Sequence, residues 1–141
     1  MASKFIALPK GVSEKTFAAA ITEFRQVVGQ DSVLVSAEQL APYIKTMMPV
    51  PDADHTPSAA LLATTVEQIQ KIVAICNKHK VPIWMISTGR NFGYGSAAPA
   101  ERGQVVLDLK RMNRILEVDP DLCFALVEPG VTYKQLYDYI Q

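Results

Sequence analysis

Long apolar runs are missing from this chain: across its 141 residues nothing approaches the roughly 20 consecutive apolar residues that a bilayer-spanning helix needs. The apolar start, Phe5-Ile6-Ala7-Leu8, is cut by Pro9, Lys10 and Gly11, too soon for the core of a secretory signal. Whether the compartment is cytoplasmic or periplasmic stays open. A surplus of charge is missing as well. Fourteen basic residues balance fourteen acidic ones, so neither nucleic acid nor a membrane surface is an expected partner. Cysteine is scarce: Cys76 and Cys123 are the only two, each among apolar neighbours, and buried thiols are expected of them rather than a disulfide. No CxxC and no Cys/His cluster with metal-ligand spacing occurs, and no metal site is expected. Of the two histidines, His55 lies beside Asp52 and Asp54 in a proline-flanked loop that reads as a solvated acidic connection. His79 stands between Lys78 and Lys80 at a helix end, where a cation complements the helix dipole; neither is given a catalytic role.

What is present is the make-up of one globular domain, 49% hydrophobic and 20% charged. Ser13 can cap a first helix in which Phe17, Ala20, Ile21, Phe24, Val27 and Val28 share a face before Gly29 ends it. Val33 to Val35 makes a short strand candidate, and Ala37 to Lys45 is weakly helical. Met47 and Met48 read as gap fillers, and prolines with acids up to Asp54 mark a connection. A boundary near Pro57 divides residues 1–57, a helical extension and linker, from residues 58–141.

After that boundary the pattern is strand, helix, strand. Ala59 to Ala63 reads as a buried strand. Thr65 with Gln68 forms a capping box, Val66, Ile69, Val73 and Cys76 line one helical face, and Val81 to Ile86 completes a βαβ unit with parallel strands. Trp84 in that second strand reads as core. Three more strands are expected at Gln104 to Leu109, Arg114 to Val118 and Leu122 to Val127, the last two joined by a turn at Asp119-Pro120-Asp121. Thr132 with Gln135 opens a last helix bearing Tyr133, Tyr137 and Tyr139, which read as packing or interface residues. The sequence stops at Gln141 inside this helix with no terminating glycine, and the chain is expected to be the front part of something longer.

Glycine is sparse, which makes its distribution informative. Three of the seven glycines fall in the run Thr88-Gly89-Arg90-Asn91-Phe92-Gly93-Tyr94-Gly95, directly after the second strand of the βαβ unit. Ligands gather at the carboxyl ends of such strands, and glycine lets successive backbone N–H groups converge on an anion. The run reads as a phosphate-cradling loop suited to a dinucleotide pyrophosphate. It is neither a Rossmann nor a Walker site, since a strand follows it instead of a helix and no Lys-Ser or Lys-Thr pair closes it. Glycine content alone fits a plain turn between strands equally well. Arg90 could pair with phosphate or with an acid such as Asp108, and Tyr94, set between two glycines, suits a ligand contact or ordinary packing.

Taken in order, Thr64 to Gln70, Ser87 to Gly95 and Val127-Glu128-Pro129-Gly130-Val131 resemble the successive signatures of the vanillyl-alcohol oxidase / p-cresol methylhydroxylase flavoprotein family. The likeness extends to Met47-Met48-Pro49-Val50 and Gly95-Ser96-Ala97-Ala98-Pro99, and so covers essentially the whole chain. It implies an α+β fold, the N-terminal part of a PCMH-type FAD-binding domain, with FAD as cofactor. Ser87, Thr88, Gly89, Arg90, Asn91, Phe92, Gly93 and Gly95 would then hold the diphosphate, mainly through backbone N–H groups, and Glu128, Pro129, Gly130 and Val131 would lie against the flavin side. Tyr94 would hydrogen-bond the phenolate oxygen of a para-substituted phenol such as 4-cresol or a 4-hydroxybenzyl alcohol. Electron density pushed from that oxygen favours hydride loss from the para-benzylic carbon, giving a quinone methide. The family further implies a homo-oligomer, reoxidation by a c-type cytochrome subunit or by oxygen, and a substrate cap and covalent flavin link in the remaining C-terminal part of the flavoprotein. The alternative from the residues alone is a non-catalytic nucleotide-binding or interaction module.

Overall fold

The computed structural model of the chain describes residues 4–90 and 96–141; Asn91, Phe92, Gly93, Tyr94 and Gly95 lie outside the described residues. Helix α1, Glu14–Val28, starts where the Ser13 hydroxyl accepts the Thr16 N–H at 3.1 Å, satisfying one of the donors a helix start leaves over. Phe17, Ala20, Ile21 and Phe24 form its buried face, as the spacing predicts. Gly29, at φ +89°, ends the helix with its N–H on the Arg25 carbonyl. A two-residue strand β1, Val33–Leu34, follows, and then the short helix α2, Ala37–Leu40.

Strand β2, Ala59–Leu62, helix α3, Val66–His79, and strand β3, Ile83–Ile86, form the expected parallel βαβ unit. Its two strands are not neighbours, however. Strand β4, Val105–Asp108, runs parallel to both and sits between them, in the sheet order β1-β2-β4-β3 with β1 antiparallel at the edge. Val105, Val106 and Leu107 are apolar on both faces, and only a central position covers both. Alternate residues serve two core clusters. Leu61, Val105 and Leu107 pack with Phe17, Phe24 and Ile72 under α1 and α3, whereas Ala60 and Val106 pack with Leu40 and Tyr43 on the other face. Trp84 and Ile86 border that second cluster, in line with a packing role for the tryptophan. Side chains from both sides of Pro57 thus share the main core.

Three local expectations need correction. On α3 the buried residues are Ile72, Ile75 and Cys76, while Val66 and Val73 are exposed. The stripe turns toward the isoleucines because they remove more apolar surface from water against α1 and the sheet. Burial pushes the Cys76 thiol up to about 11, so it stays protonated near neutral pH. Cys123 is not buried: it is exposed at φ +55° in the turn of the hairpin formed by β5, Ile115–Asp119, and β6, Phe124–Val127, which stands outside both clusters. Met47 and Met48 fill no gap and are exposed on the connection before Pro57.

Both capping pairs form in part. Thr65 accepts the Gln68 N–H at 3.2 Å, but the Gln68 side chain reaches back to the Thr64 N–H at 2.8 Å, one residue earlier than a reciprocal box requires. Thr132 caps helix α4, Tyr133–Ile140, by accepting the Gln135 N–H, and the Gln135 amide goes instead to the Asn113 carbonyl. His79 and Lys78 both meet the Glu23 carboxylate at 2.8 Å and tie α3 to α1. His55 bonds the Pro99 carbonyl at 2.8 Å, and among the described residues no group of acids, histidines and cysteines could hold a metal ion.

Candidate cofactor-binding site

Parallel pairing brings the carboxyl ends of β3 and β4 together, with Ile86 beside Asp108, and the chain turns there through Ser87, Thr88, Gly89 and Arg90. Gly89 sits at φ +71°, and a Cβ on it would stand 2.7 Å from the Ala97 Cβ. Glycine is therefore needed twice over, for the left-handed backbone and for the close approach. None of the backbone N–H groups from Ser87 to Arg90 donates to a partner among the described residues. Four donors without acceptors among the described residues, at the carboxyl end of a parallel strand, are chemistry that fits a diphosphate.

Clefts open on this turn from several sides. One of about 510 Å³ lies between Ser87, Thr88 and Arg90 on one wall and Val131, Thr132, Tyr133 and Lys134 on the other. It brings together the two stretches that the sequence marks as cofactor-binding, which lie far apart along the chain. A second, about 430 Å³, is lined by Trp84, Ile86, Ser87, Gly89, Arg90 and His55. Arg90 borders both and forms no ion pair among the described residues. Tyr94, Asn91, Phe92, Gly93 and Gly95 belong to the same loop by sequence and lie outside the described residues.

The second stretch divides its work. Glu128 is buried, and its carboxylate accepts from the Arg114 N–H at 2.8 Å and from the guanidinium at 3.0 and 2.6 Å. Its side chain thus fastens the end of β6 to the start of β5, and Val131 is the residue of this stretch that lines the cleft. Gly130 is held against the carbonyls of Leu109, Lys110 and Met112 and donates its N–H to the last at 2.8 Å. The Arg114 side chain holds the Glu128 carboxyl below the usual carboxylate range. A depressed folded value means that this pairing contributes stability above the ordinary carboxylate pKa, and that the contribution fades as pH falls through the folded value. Thermal unfolding followed from about pH 7 down to about pH 3, spanning the ordinary glutamate value, should show a shallower acid loss for Glu128→Gln than for wild type. Identical pH slopes would dismiss the pairing as a stabilising contact.

A residue set with no sequence motif stands next to the turn. Asp108 ends the otherwise apolar β4 and is 2% exposed. It accepts the Tyr43 hydroxyl at 2.6 Å, the Lys110 ammonium at 3.0 Å and the Lys110 N–H at 2.9 Å. Asp108 is therefore engaged by Lys110 and Tyr43, and the alternative pairing with Arg90 is not formed. Burial and the adjoining Asp108 carboxylate raise the Tyr43 phenol. An acid closing a three-residue apolar run, with a lysine two positions on, is the signal that could have revealed the set.

A parallel-strand core that ends in a glycine turn, whose amides find no acceptor among the described residues, defines a nucleotide-cofactor-binding unit of the α+β class. The chain belongs to the FAD binding domain family, whose model matches residues 57–141, and its cofactor is FAD. It is 65% identical over 95% of its length to the 4-cresol dehydrogenase [hydroxylating] flavoprotein subunit of Pseudomonas putida, covering 26% of that protein. Among solved structures, p-cresol methylhydroxylase with substrate bound superposes with a TM-score of 0.93 at 64% identity, over 96% of this chain and 26% of that one. The 4-ethylphenol oxidase of Gulosibacter chungangensis, in complex with isoeugenol, gives 0.89 at 40% identity, over 94% and 26%. The chain thus spans about a quarter of the length of these relatives.

Proposed function

We propose that this chain supplies the first part of the FAD-binding domain of an oxidoreductase that oxidises para-alkylphenols, such as 4-cresol, or 4-hydroxybenzyl alcohols. Residues 58–141 form the cofactor-binding portion, and residues 1–57 are an extension packed against it. The observation that carries the reading is the turn at Ser87 to Arg90, with amides that have no acceptor among the described residues beside the Gly89 approach to Ala97. Those amides, continued through Asn91, Phe92, Gly93 and Gly95, hold the diphosphate, while Pro129, Gly130 and Val131 present backbone toward the flavin side and Glu128 fixes their position. When bound, FAD supplies a two-electron acceptor. Tyr94 donates a hydrogen bond to the phenolate oxygen and so holds the substrate in its electron-rich form. Reoxidation by a c-type cytochrome subunit, a homo-oligomeric state and a cap in a C-terminal part complete the proposal, on the strength of the likeness to a protein named as a flavoprotein subunit.

The test is flavin content and reduction by 4-cresol, with and without cytochrome c, in a flavoprotein that carries this chain with a substrate-binding portion. Flavin reduced by the phenol supports the reading, whereas a preparation that takes up FAD and is never reduced points to a non-catalytic nucleotide module. In the same preparation Tyr94→Phe should leave FAD bound and slow phenol oxidation by about tenfold or more, the loss expected for one hydrogen bond to a charged group. Wild-type turnover and phenol affinity in that variant would remove Tyr94 from the site.

A further inference from the structure

On the β4 side of the glycine turn lies a cleft of about 340 Å³ whose lining includes Lys45, Thr88, Arg90, Asp108 and Lys110. Three cations and one carboxylate line it, in a chain with no net charge overall. Lys110 is the fixed member. Its ammonium lies 3.0 Å from the Asp108 carboxylate, 3.3 Å from the Tyr43 hydroxyl and 5.6 Å from the centre of the Tyr43 ring. Yet the lysine side chain remains half exposed while Asp108 is buried. A lysine that served only to neutralise a buried acid would gain by covering its whole head group; this one keeps donor capacity on the cleft side. Asp108 is also fastened by the Lys110 N–H and the Tyr43 hydroxyl, so the carboxylate cannot swing away and take the ammonium with it. Burial by itself would lower the Lys110 pKa, but the contacts with Asp108 and Tyr43 outweigh it and the value is raised, which keeps the ammonium charged.

Resting on the flavin reading above, we propose that Lys110 is a further ligand of the cofactor diphosphate, its ammonium adding a charged contact to the backbone amides of the glycine turn. Asp108 and Tyr43 are positioning residues that hold that ammonium at the cleft. A point charge on a long stem suits a phosphate already oriented by amides, because it adds attraction without demanding a second fixed geometry.

The test compares binding of inorganic pyrophosphate, FAD and riboflavin to the intact protein by calorimetry and flavin fluorescence. Lys110→Gln should weaken FAD and pyrophosphate by on the order of tenfold, the range for one charge-assisted contact, and leave riboflavin, which has no diphosphate, unchanged. Lys110→Arg should recover most of the loss. Tyr43→Phe should give a smaller loss of the same selectivity, a pattern that general destabilisation would not produce, since that would weaken riboflavin equally. Wild-type FAD and pyrophosphate affinity in Lys110→Gln overturns the proposal and leaves the flavin reading standing. Pyrophosphate held through Lys110 in a protein that takes no FAD would overturn the flavin reading and keep the anion site. Binding of neither by wild type would overturn both.

Discussion

Gly89→Ala should strip the protein of its FAD, with affinity falling by roughly two orders of magnitude, the equivalent of about 2.7 kcal/mol. Two costs combine at this position. At φ +71° any residue with a Cβ meets its own carbonyl, a penalty of about 1–2 kcal/mol. The added methyl would also stand 2.7 Å from the Ala97 Cβ, and Ala97 has no rotamer with which to withdraw, so overpacking adds about 1–3 kcal/mol. The chain relieves both by moving the turn, and the turn carries the amides that are to hold the diphosphate. Gly11→Ala is the control: Gly11 has nearly the same φ, +76°, but nothing within 4 Å of its would-be Cβ. That variant should keep wild-type flavin content despite similar backbone strain. The measurement is flavin-to-protein ratio after purification and the FAD dissociation constant by fluorescence. A Gly89→Ala protein that loads FAD normally would move the diphosphate away from this turn.

The contrast between these glycines also explains what the sequence could and could not disclose. Strong periodic signals carried well: α1 buries Phe17, Ala20, Ile21 and Phe24 as the spacing requires, and the parallel relation of β2 and β3 follows from the helix between them. Insertion of β4 between them was not readable, because strand order depends on which apolar run most needs cover on both faces, a comparison made only in three dimensions. Competition between Val66 or Val73 and Ile72 or Ile75 for the buried side of α3 is of the same kind. At the candidate site, the glycine run marks a turn at the carboxyl end of β3 in which Gly89 adopts the positive φ that glycine allows. The partnership of Tyr43, Asp108 and Lys110 is not legible in the sequence, since 65 residues separate the tyrosine from the acid, and partners drawn from distant elements carry no spacing rule. Glu128 is a different case. The family motif implies that its turn lies against the flavin side, and motif reading says nothing of its carboxylate, which is engaged by Arg114 at the base of the hairpin.

Gly130→Ala is expected to destabilise the fold by about 3 kcal/mol, summing overpacking with one lost backbone hydrogen bond, and to lower Tm by about 10 °C for a domain of this size. Here the backbone angle is not the obstacle. A Cβ would stand 2.6 Å from the Leu109 carbonyl oxygen and 2.8 Å from those of Lys110 and Met112, a ring of three main-chain oxygens that cannot change rotamer. Separating them from residue 130 breaks the Gly130 N–H bond to Met112, at 2.8 Å, and pushes the segment after β4 outward. That segment carries Lys110 and its N–H contact to Asp108, so the damage should reach the cleft beside the glycine turn. Pyrophosphate affinity should therefore fall even at temperatures where the variant is fully folded. Glu128→Gln, which weakens the neighbouring hairpin without crowding those carbonyls, should lower stability and leave pyrophosphate affinity intact. Calorimetric unfolding together with pyrophosphate titration of both variants separates the effects. A Gly130→Ala protein with wild-type Tm would mean that the 109–112 segment yields freely, and equal pyrophosphate losses in the two variants would show that the cleft responds to stability in general and not to the position of Lys110.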